Sequence, residues 1–248
     1  MTRTILGTED IKMQGDRGAV MLIHGYTGIP GHFQFLAEQL NKAGFTVFAP
    51  RLPGHGTNRK DFLGTSYRDW LSLCRELYTE LKKNHSAVSL GGLSMGGSIA
   101  LILAAQFKPE KLLLYAPAVS LKQKIAYFSP FLRYIIPRTR SRYNEEHEDP
   151  DTQYLAEQYW HYHETGMIAS VEKLRKMALK ALPGIVSDTV VFVSRKDNTV
   201  PVKAADIIIQ KIRSKTKKKI LLSDSSHLLV QDEEKVKVAA QTLEWLSL

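Results

Sequence analysis

One cysteine in 248 residues, Cys74, excludes an intramolecular disulfide and any cysteine-rich metal site. Apolar runs long enough to cross a bilayer are also missing. Met1 to Gly18 is polar and carries both charge signs, so it lacks the basic head, apolar core and small-residue cleavage site of a secretory signal. Together these absences predict a reducing, cytoplasmic setting. Internal repeats and low-complexity tracts are absent too, so neither a solenoid nor a disordered scaffold is expected.

What is present is a hydrophobic content of 44%, ample for one α/β domain with an insertion. Cys74 falls on the apolar stripe Trp70, Leu73, Cys74, Leu77 and Leu81, the position of a core cysteine rather than a reactive thiol. The net charge of +9 is compatible with nucleic acid, an anionic membrane surface or an acidic substrate. Its densest cluster, from Lys211 to Lys219, lies where a helix ends and a strand begins. That cluster lacks the interleaved aromatics of a single-strand binder, so it reads as a solvated turn and no nucleic-acid partner is expected.

Along the chain, short apolar runs alternate with amphipathic ones. Strands are predicted at Ala19–Ile23, Phe45–Ala49, Ala87–Gly91, Lys111–Tyr115, Thr189–Ser194 and Lys218–Ser223. Helices fall between them: Phe33, Leu36, Ala37 and Leu40 repeat at helical spacing, and Ser66-x-x-Asp69 resembles a capping box opening the Trp70–Leu81 helix. Such alternation predicts a mostly parallel sheet with helices on both faces. From Ala116 to Pro183 the rhythm breaks into helix-like stretches punctuated by Pro130, Pro137, Pro150 and Gly166. Residues 117–184 are therefore read as a helical cap inserted between two parts of one core, residues 1–116 and 185–248.

The core is organised around Gly92-Leu93-Ser94-Met95-Gly96, with a strand pattern before it and an Ala/Leu/Ile-rich helix pattern after it. Strand, small-x-Ser-x-small, helix is the pattern of a nucleophile elbow: the tight turn strains the serine backbone and pushes its hydroxyl into reach. A serine needs a base to take its proton and an acid to orient that base. Asp197 lies just after the strand ending at Ser194, and His227 just after the strand ending at Ser223, 30 residues further on. The order Ser94, Asp197, His227, with each residue following a strand, makes them the candidate triad. Asp224 is too close to His227 on the same loop, and Asp188 precedes its strand. The oxyanion would be held by the Met95 N–H and by the Tyr26 N–H in the His24-Gly25-Tyr26-Thr27-Gly28 loop. His24 fails as a base on chain order and is read as a loop brace.

With these motifs together, the chain resembles the capped serine α/β-hydrolases, above all bacterial carboxylesterases and monoacylglycerol lipases. The likeness rests on Leu22-Ile23-His24-Gly25-Tyr26-Thr27-Gly28, Pro53-Gly54-His55-Gly56, the elbow, Arg195-Lys196-Asp197 and Ser226-His227. It implies the α/β-hydrolase fold and hydrolysis of a small-molecule ester through an acyl-enzyme, without metal or cofactor. Thioesterases, amidases and C–C bond hydrolases share this machinery, and a non-catalytic ligand-binding receptor can share the fold.

No motif identifies a substrate in the cap. Ile125 to Ile136 is more apolar than one buried face requires, which points to an acyl channel or to weak lipid contact, beside ordinary packing within the cap. Because the insertion leaves the sheet at the edge that carries Ser94, Phe128, Phe131, Tyr134 and Trp160 are expected to touch the acyl chain. The His161-x-His163 pair lacks a third ligand at convincing spacing, so no metal is expected.

Overall fold

The computed structural model describes residues 5–141 and 146–248; positions 1–4 and 142–145 lie outside the described residues. Seven strands form one sheet in the order β1-β3-β2-β4-β5-β8-β9. They are β1 (Ile11–Met13), β2 (Ala19–Ile23), β3 (Thr46–Ala49), β4 (Val88–Leu93), β5 (Lys111–Tyr115), β8 (Asp188–Ser194) and β9 (Lys217–Leu222). All pairings are parallel except that of the edge strand β1 with β3. The central strands β2, β4 and β5 are buried along their whole length, because helices cover both faces and leave no solvent side to require polar alternation.

Between the strands run α1 (Gln34–Lys42), α2 (Arg59–Leu63), α3 (Tyr67–Asn84) and α4 (Met95–Phe107), and later α8 (Lys203–Lys211) and α9 (Lys235–Leu246). The capping box at Ser66 and Asp69 is formed and opens α3. Cys74 is fully buried on that helix, and burial pushes its thiol pKa up, away from reactivity. β9 is the other edge strand. Its exposed lysines keep that edge in water, Lys219 pairing with Asp206 at 2.6 Å and Lys218 reaching Glu244 at 3.7 Å.

Between β5 and β8 the chain forms a 3-10 turn at Lys124–Phe128, α5 (Ser129–Leu132), α6 (Pro150–Leu155), a π-helical turn at Ala156–Trp160 and α7 (Thr165–Ala181). It also forms a two-stranded antiparallel ladder, β6 (Arg138–Arg140) with β7 (Tyr162–Glu164), where only helices were expected. Three-residue strands such as Arg-Thr-Arg are too short to show a period of two. The last long helix, α7, packs along α4 and joins the layer covering the sheet.

Candidate active site

Parallel strands place all their C-terminal ends on one edge, so loops far apart in sequence converge there. Ser94 follows β4 and caps α4 with φ 55° and ψ −114°, a region that side-chain-bearing residues rarely adopt. Its neighbours hold the strain: the Ser94 N–H donates to the Tyr115 carbonyl at 2.9 Å, and its carbonyl accepts from the Ala118 N–H at 3.0 Å. The crossing leaves no room for side chains. A Cβ at Gly96 would lie 2.0 Å from the Ile23 carbonyl oxygen, and one at Gly92 2.3 Å from the Gly96 oxygen.

The Ser94 hydroxyl donates to His227 Nε2 at 2.9 Å, and His227 Nδ1 donates to Asp197 Oδ2 at 2.8 Å. A carboxylate only accepts, so it fixes the imidazole proton on Nδ1 and leaves Nε2 free to take one. Asp197 is fully buried, and its second oxygen accepts the N–H groups of Thr199 at 2.7 Å and Val200 at 2.9 Å. These bonds replace the water lost on burial. The rival acids are engaged elsewhere: Asp224 is exposed and pairs with Lys196 at 2.8 Å, while Asp188 begins β8 at the far edge and pairs with Lys111 at 3.1 Å.

The loop carrying His227 has a brace that the sequence did not single out. Glu234 accepts the backbone N–H groups of Ser223 at 3.0 Å, Asp224 at 2.9 Å and Ser225 at 3.2 Å. Desolvation acts to raise its pKa, but the hydrogen bond from Asp224, the Lys237 ammonium and the Ser225 bond outweigh it and hold the carboxyl down to about 2. Beside it, Asp232 accepts the Ser226 N–H. A glutamate seven residues beyond a loop histidine has no motif; only the turn's return path brings it back.

His24 is buried and braces its loop. Its Nε2 accepts the Leu52 N–H at 3.1 Å and its Nδ1 donates to the Gly25 carbonyl at 3.0 Å, tying the loop after β2 to the loop after β3. Burial, with His55 adjoining, pushes its pKa well below the ordinary histidine value. Met95 opens α4, so its N–H has no helical carbonyl to bind, and no backbone hydrogen bond engages the Tyr26 N–H among the described residues. A Cβ at Gly25 would come within 3.3 Å of the Ser94 Cβ, so the loop lies directly against Ser94.

Two hollows meet at this point. One, of about 160 Å³, is walled by Ser94, Ala118, Leu121, Ile168 and Val171. The other, of about 430 Å³, is walled by His227, Thr27, His32, Trp160 and Gln231. Tyr26 and His163 border both. A hollow of about 520 Å³ between β3 and the end of α3 contains none of the triad residues.

The profile of the alpha/beta hydrolase family matches residues 20–241. The chain belongs to that family. It is 33% identical over 245 residues to a thermostable monoacylglycerol lipase of Bacillus sp. strain H-257, covering 97% of this chain and 95% of that protein. It is 25% identical to a carboxylesterase of Bacillus subtilis strain 168, covering 94% of this chain and 93% of that protein. Among solved structures, a metagenome-derived lipolytic enzyme superposes with a TM-score of 0.88 at 24% identity, over 99% of both chains. The monoacylglycerol lipase of Paleococcus ferrophilus superposes at 0.77 and 21% identity, over 96% of this chain and 97% of that one.

In this hydrolase three of the four aromatics expected at the acyl chain are placed elsewhere. Phe128, Phe131 and Tyr134 are 59%, 75% and 76% exposed and wall neither hollow beside the triad. The segment is short: Ala126 and Leu121 take the inward positions, and the large rings that follow face out. Trp160 does line the larger hollow, with its indole N–H donating to the Thr27 carbonyl at 3.1 Å. The walls around Ser94 come instead from Ile168 and Val171, three residues apart on α7. Helical spacing marks them as apolar; it does not say which side of the helix meets the site.

Proposed function

We propose that this hydrolase is a serine carboxylic ester hydrolase of the carboxylesterase or monoacylglycerol lipase type, acting on small or monoacyl esters in the cytoplasm. The observation that carries the reading is the unbroken hydrogen-bond chain from Ser94 through His227 to buried Asp197, opening directly into a hollow with apolar walls. As Ser94 Oγ attacks the ester carbonyl carbon, His227 Nε2 takes the hydroxyl proton. Asp197 then faces an imidazolium and stabilises it. The Tyr26 and Met95 N–H groups receive the oxyanion, aided by the positive end of α4. Collapse of the tetrahedral intermediate breaks the bond to the alcohol oxygen, and His227 returns the proton to that leaving group. Water repeats the sequence on the acyl-enzyme and releases the acid.

In this reading the hollow walled by Ala118, Leu121, Ile168 and Val171 takes the acyl chain, and the hollow with Thr27, His32 and Gln231 takes the alcohol. Residues 117–184 act as the cap over both, and a substrate of this class brings the cap into weak contact with lipid. A panel of p-nitrophenyl esters of increasing acyl length, with monoacylglycerols beside it, tests the proposal. Turnover is expected on short and medium chains; no cleavage of any ester by the folded protein would refute it.

A further inference from the structure

The aromatics that wall neither hollow beside Ser94 belong to a run of exposed large apolar side chains. Phe128, Phe131 and Ile135 follow one another at spacings of three and four on the outside of the cap, with Ile125 and Tyr134 beside them. Ile125 is 66% and Ile135 79% exposed. A patch of this kind on an otherwise well-packed chain marks an interaction surface.

Its charge says what lies opposite. Residues 117–141 contain five Lys or Arg side chains (Lys122, Lys124, Arg133, Arg138 and Arg140) and no Asp or Glu. Among the described residues Lys122, Lys124, Arg133 and Lys173 form no ion pair with a carboxylate. Next to the patch, a hollow of about 290 Å³ between α5 and α7 is rimmed by Arg133, Lys173 and Lys176. The acid on its wall, Glu172, is buried and already bound by Arg175 at 2.6 Å and by the exposed Lys176 at 3.5 Å. The acidic residues Asp149 and Asp151 lie in sequence between His147 and Thr152, which wall the larger hollow beside His227, and neither lines the hollow between α5 and α7.

We propose that this face of the cap docks on an anionic phospholipid bilayer: Phe128, Phe131, Tyr134 and Ile135 enter the headgroup–acyl boundary while Lys124, Arg133, Lys173 and Lys176 meet lipid phosphates. No helix of the described residues is long and apolar enough to span a membrane, so the contact lies in the interface plane. The geometry joins this surface to the site: within one turn, Ile125 and Phe128 face out while Ala126 lines the hollow containing Ser94. A monoacyl ester leaving the bilayer would reach the nucleophile past that turn. This use of the surface rests on the ester-hydrolase reading; the docking itself does not.

The test is sedimentation of the full chain with vesicles of phosphatidylcholine alone or mixed with phosphatidylglycerol, at low and high salt. Binding to the mixed vesicles at low salt, release by high salt and little binding to phosphatidylcholine are expected. Lys124→Gln and Lys173→Gln should each lower the partition about fivefold. Phe131→Ser with Ile135→Ser should lower it about tenfold or more. All these variants should keep wild-type turnover of soluble p-nitrophenyl acetate, because none of the four side chains lines a hollow beside the triad. Equal binding to both vesicle types, no binding to either, or variants that bind like the wild type would overturn the proposal. So would a dimer, seen by light scattering, that the Phe131/Ile135 variant dissolves, since the patch would then be covered by a second copy. Absent turnover of p-nitrophenyl acetate with vesicle binding intact would refute the ester reading and leave the docking surface standing.

Discussion

Asp197 gives one oxygen to two backbone N–H groups and the other to His227, and that division predicts what an amide would do there. In Asp197→Asn the carbonyl oxygen stays with Thr199 and Val200, so the NH₂ group faces His227 and forces the imidazole proton onto Nε2. That tautomer cannot accept the Ser94 proton. Turnover should fall on the order of 10⁴-fold with folding intact, whereas Asp224→Asn, which only releases an exposed lysine, should cost less than about threefold. If Asp224→Asn were the more damaging change in steady-state assays, the acid would be misassigned. Three buried histidines set a different behaviour at the same scale. Burial holds His55 down to about 4, burial and His227 hold His32 to about 4, and His24 also lies well below the ordinary value. Each is neutral when folded and takes up a proton more readily when unfolded. The stability they leave intact is therefore fully present above about pH 6.5 and is lost as pH falls toward 4. Melting temperature measured across that window should decline steeply, and a flat profile would contradict the neutral assignment. That Ser94, Asp197 and His227 meet, and that His24 ties its loop down, was legible from chain order and strand ends; the protonation states were not, because they depend on which loops close over the rings.

At the scale of elements, the elbow and the cap answer to different constraints. Gly96→Ala would press a methyl into the backbone of Ile23 and His24, so the variant should be inactive and strongly destabilised in urea titrations. Gly166, in the first turn of α7, has open space where a Cβ would stand, with no neighbouring atom within 4 Å, so Gly166→Ala should instead stabilise by about 0.5 kcal/mol. The cap is fastened to the loop after β3: Tyr159 Oη accepts the Thr57 N–H at 2.8 Å and donates to the Gly54 carbonyl at 3.1 Å, and Arg59 grips Glu164 at 2.6 Å. Tyr159→Phe leaves the Thr57 N–H unpaired and the Gly54 carbonyl with only the Thr57 hydroxyl at 3.4 Å, and should lower stability by about 1–3 kcal/mol. On the proposed ester-hydrolase reading, acyl selectivity belongs to α7. Val171→Phe should fill the hollow beside Ser94 and shift the ratio of short- to medium-chain activity several-fold toward short chains, while Phe128→Ala should leave that ratio unchanged. The same contrast explains what the sequence reveals of these elements. Long periods show, as in the α3 stripe and the buried β2, β4 and β5. β1, β6 and β7 do not, since three residues carry no period and their pairing is decided by partners distant in sequence. The cap aromatics escape sequence reasoning for a related cause: hydrophobicity locates a surface but not the side of the chain that it faces.

For the molecule as a whole, six parallel strands deliver Ser94, Asp197, His227 and the Tyr26 loop to one edge, and the segment between β5 and β8 walls the hollows beside them. That convergence was predictable because strand–helix alternation fixes the direction of every strand, and direction fixes which loops meet. The cap's extent was less visible, since α7 serves both layers: Val171 walls the hollow while the same helix packs on α4. The central claim is that an acyl group passes through Ser94. Quenching the reaction of the folded protein with a p-nitrophenyl ester during its first turnover, followed by mass spectrometry of the peptides, tests it most directly. An acyl adduct on Ser94, appearing with p-nitrophenol and absent from Ser94→Ala, is the predicted result; ester turnover by Ser94→Ala at even a tenth of the wild-type rate, or an adduct on another residue, would contradict it.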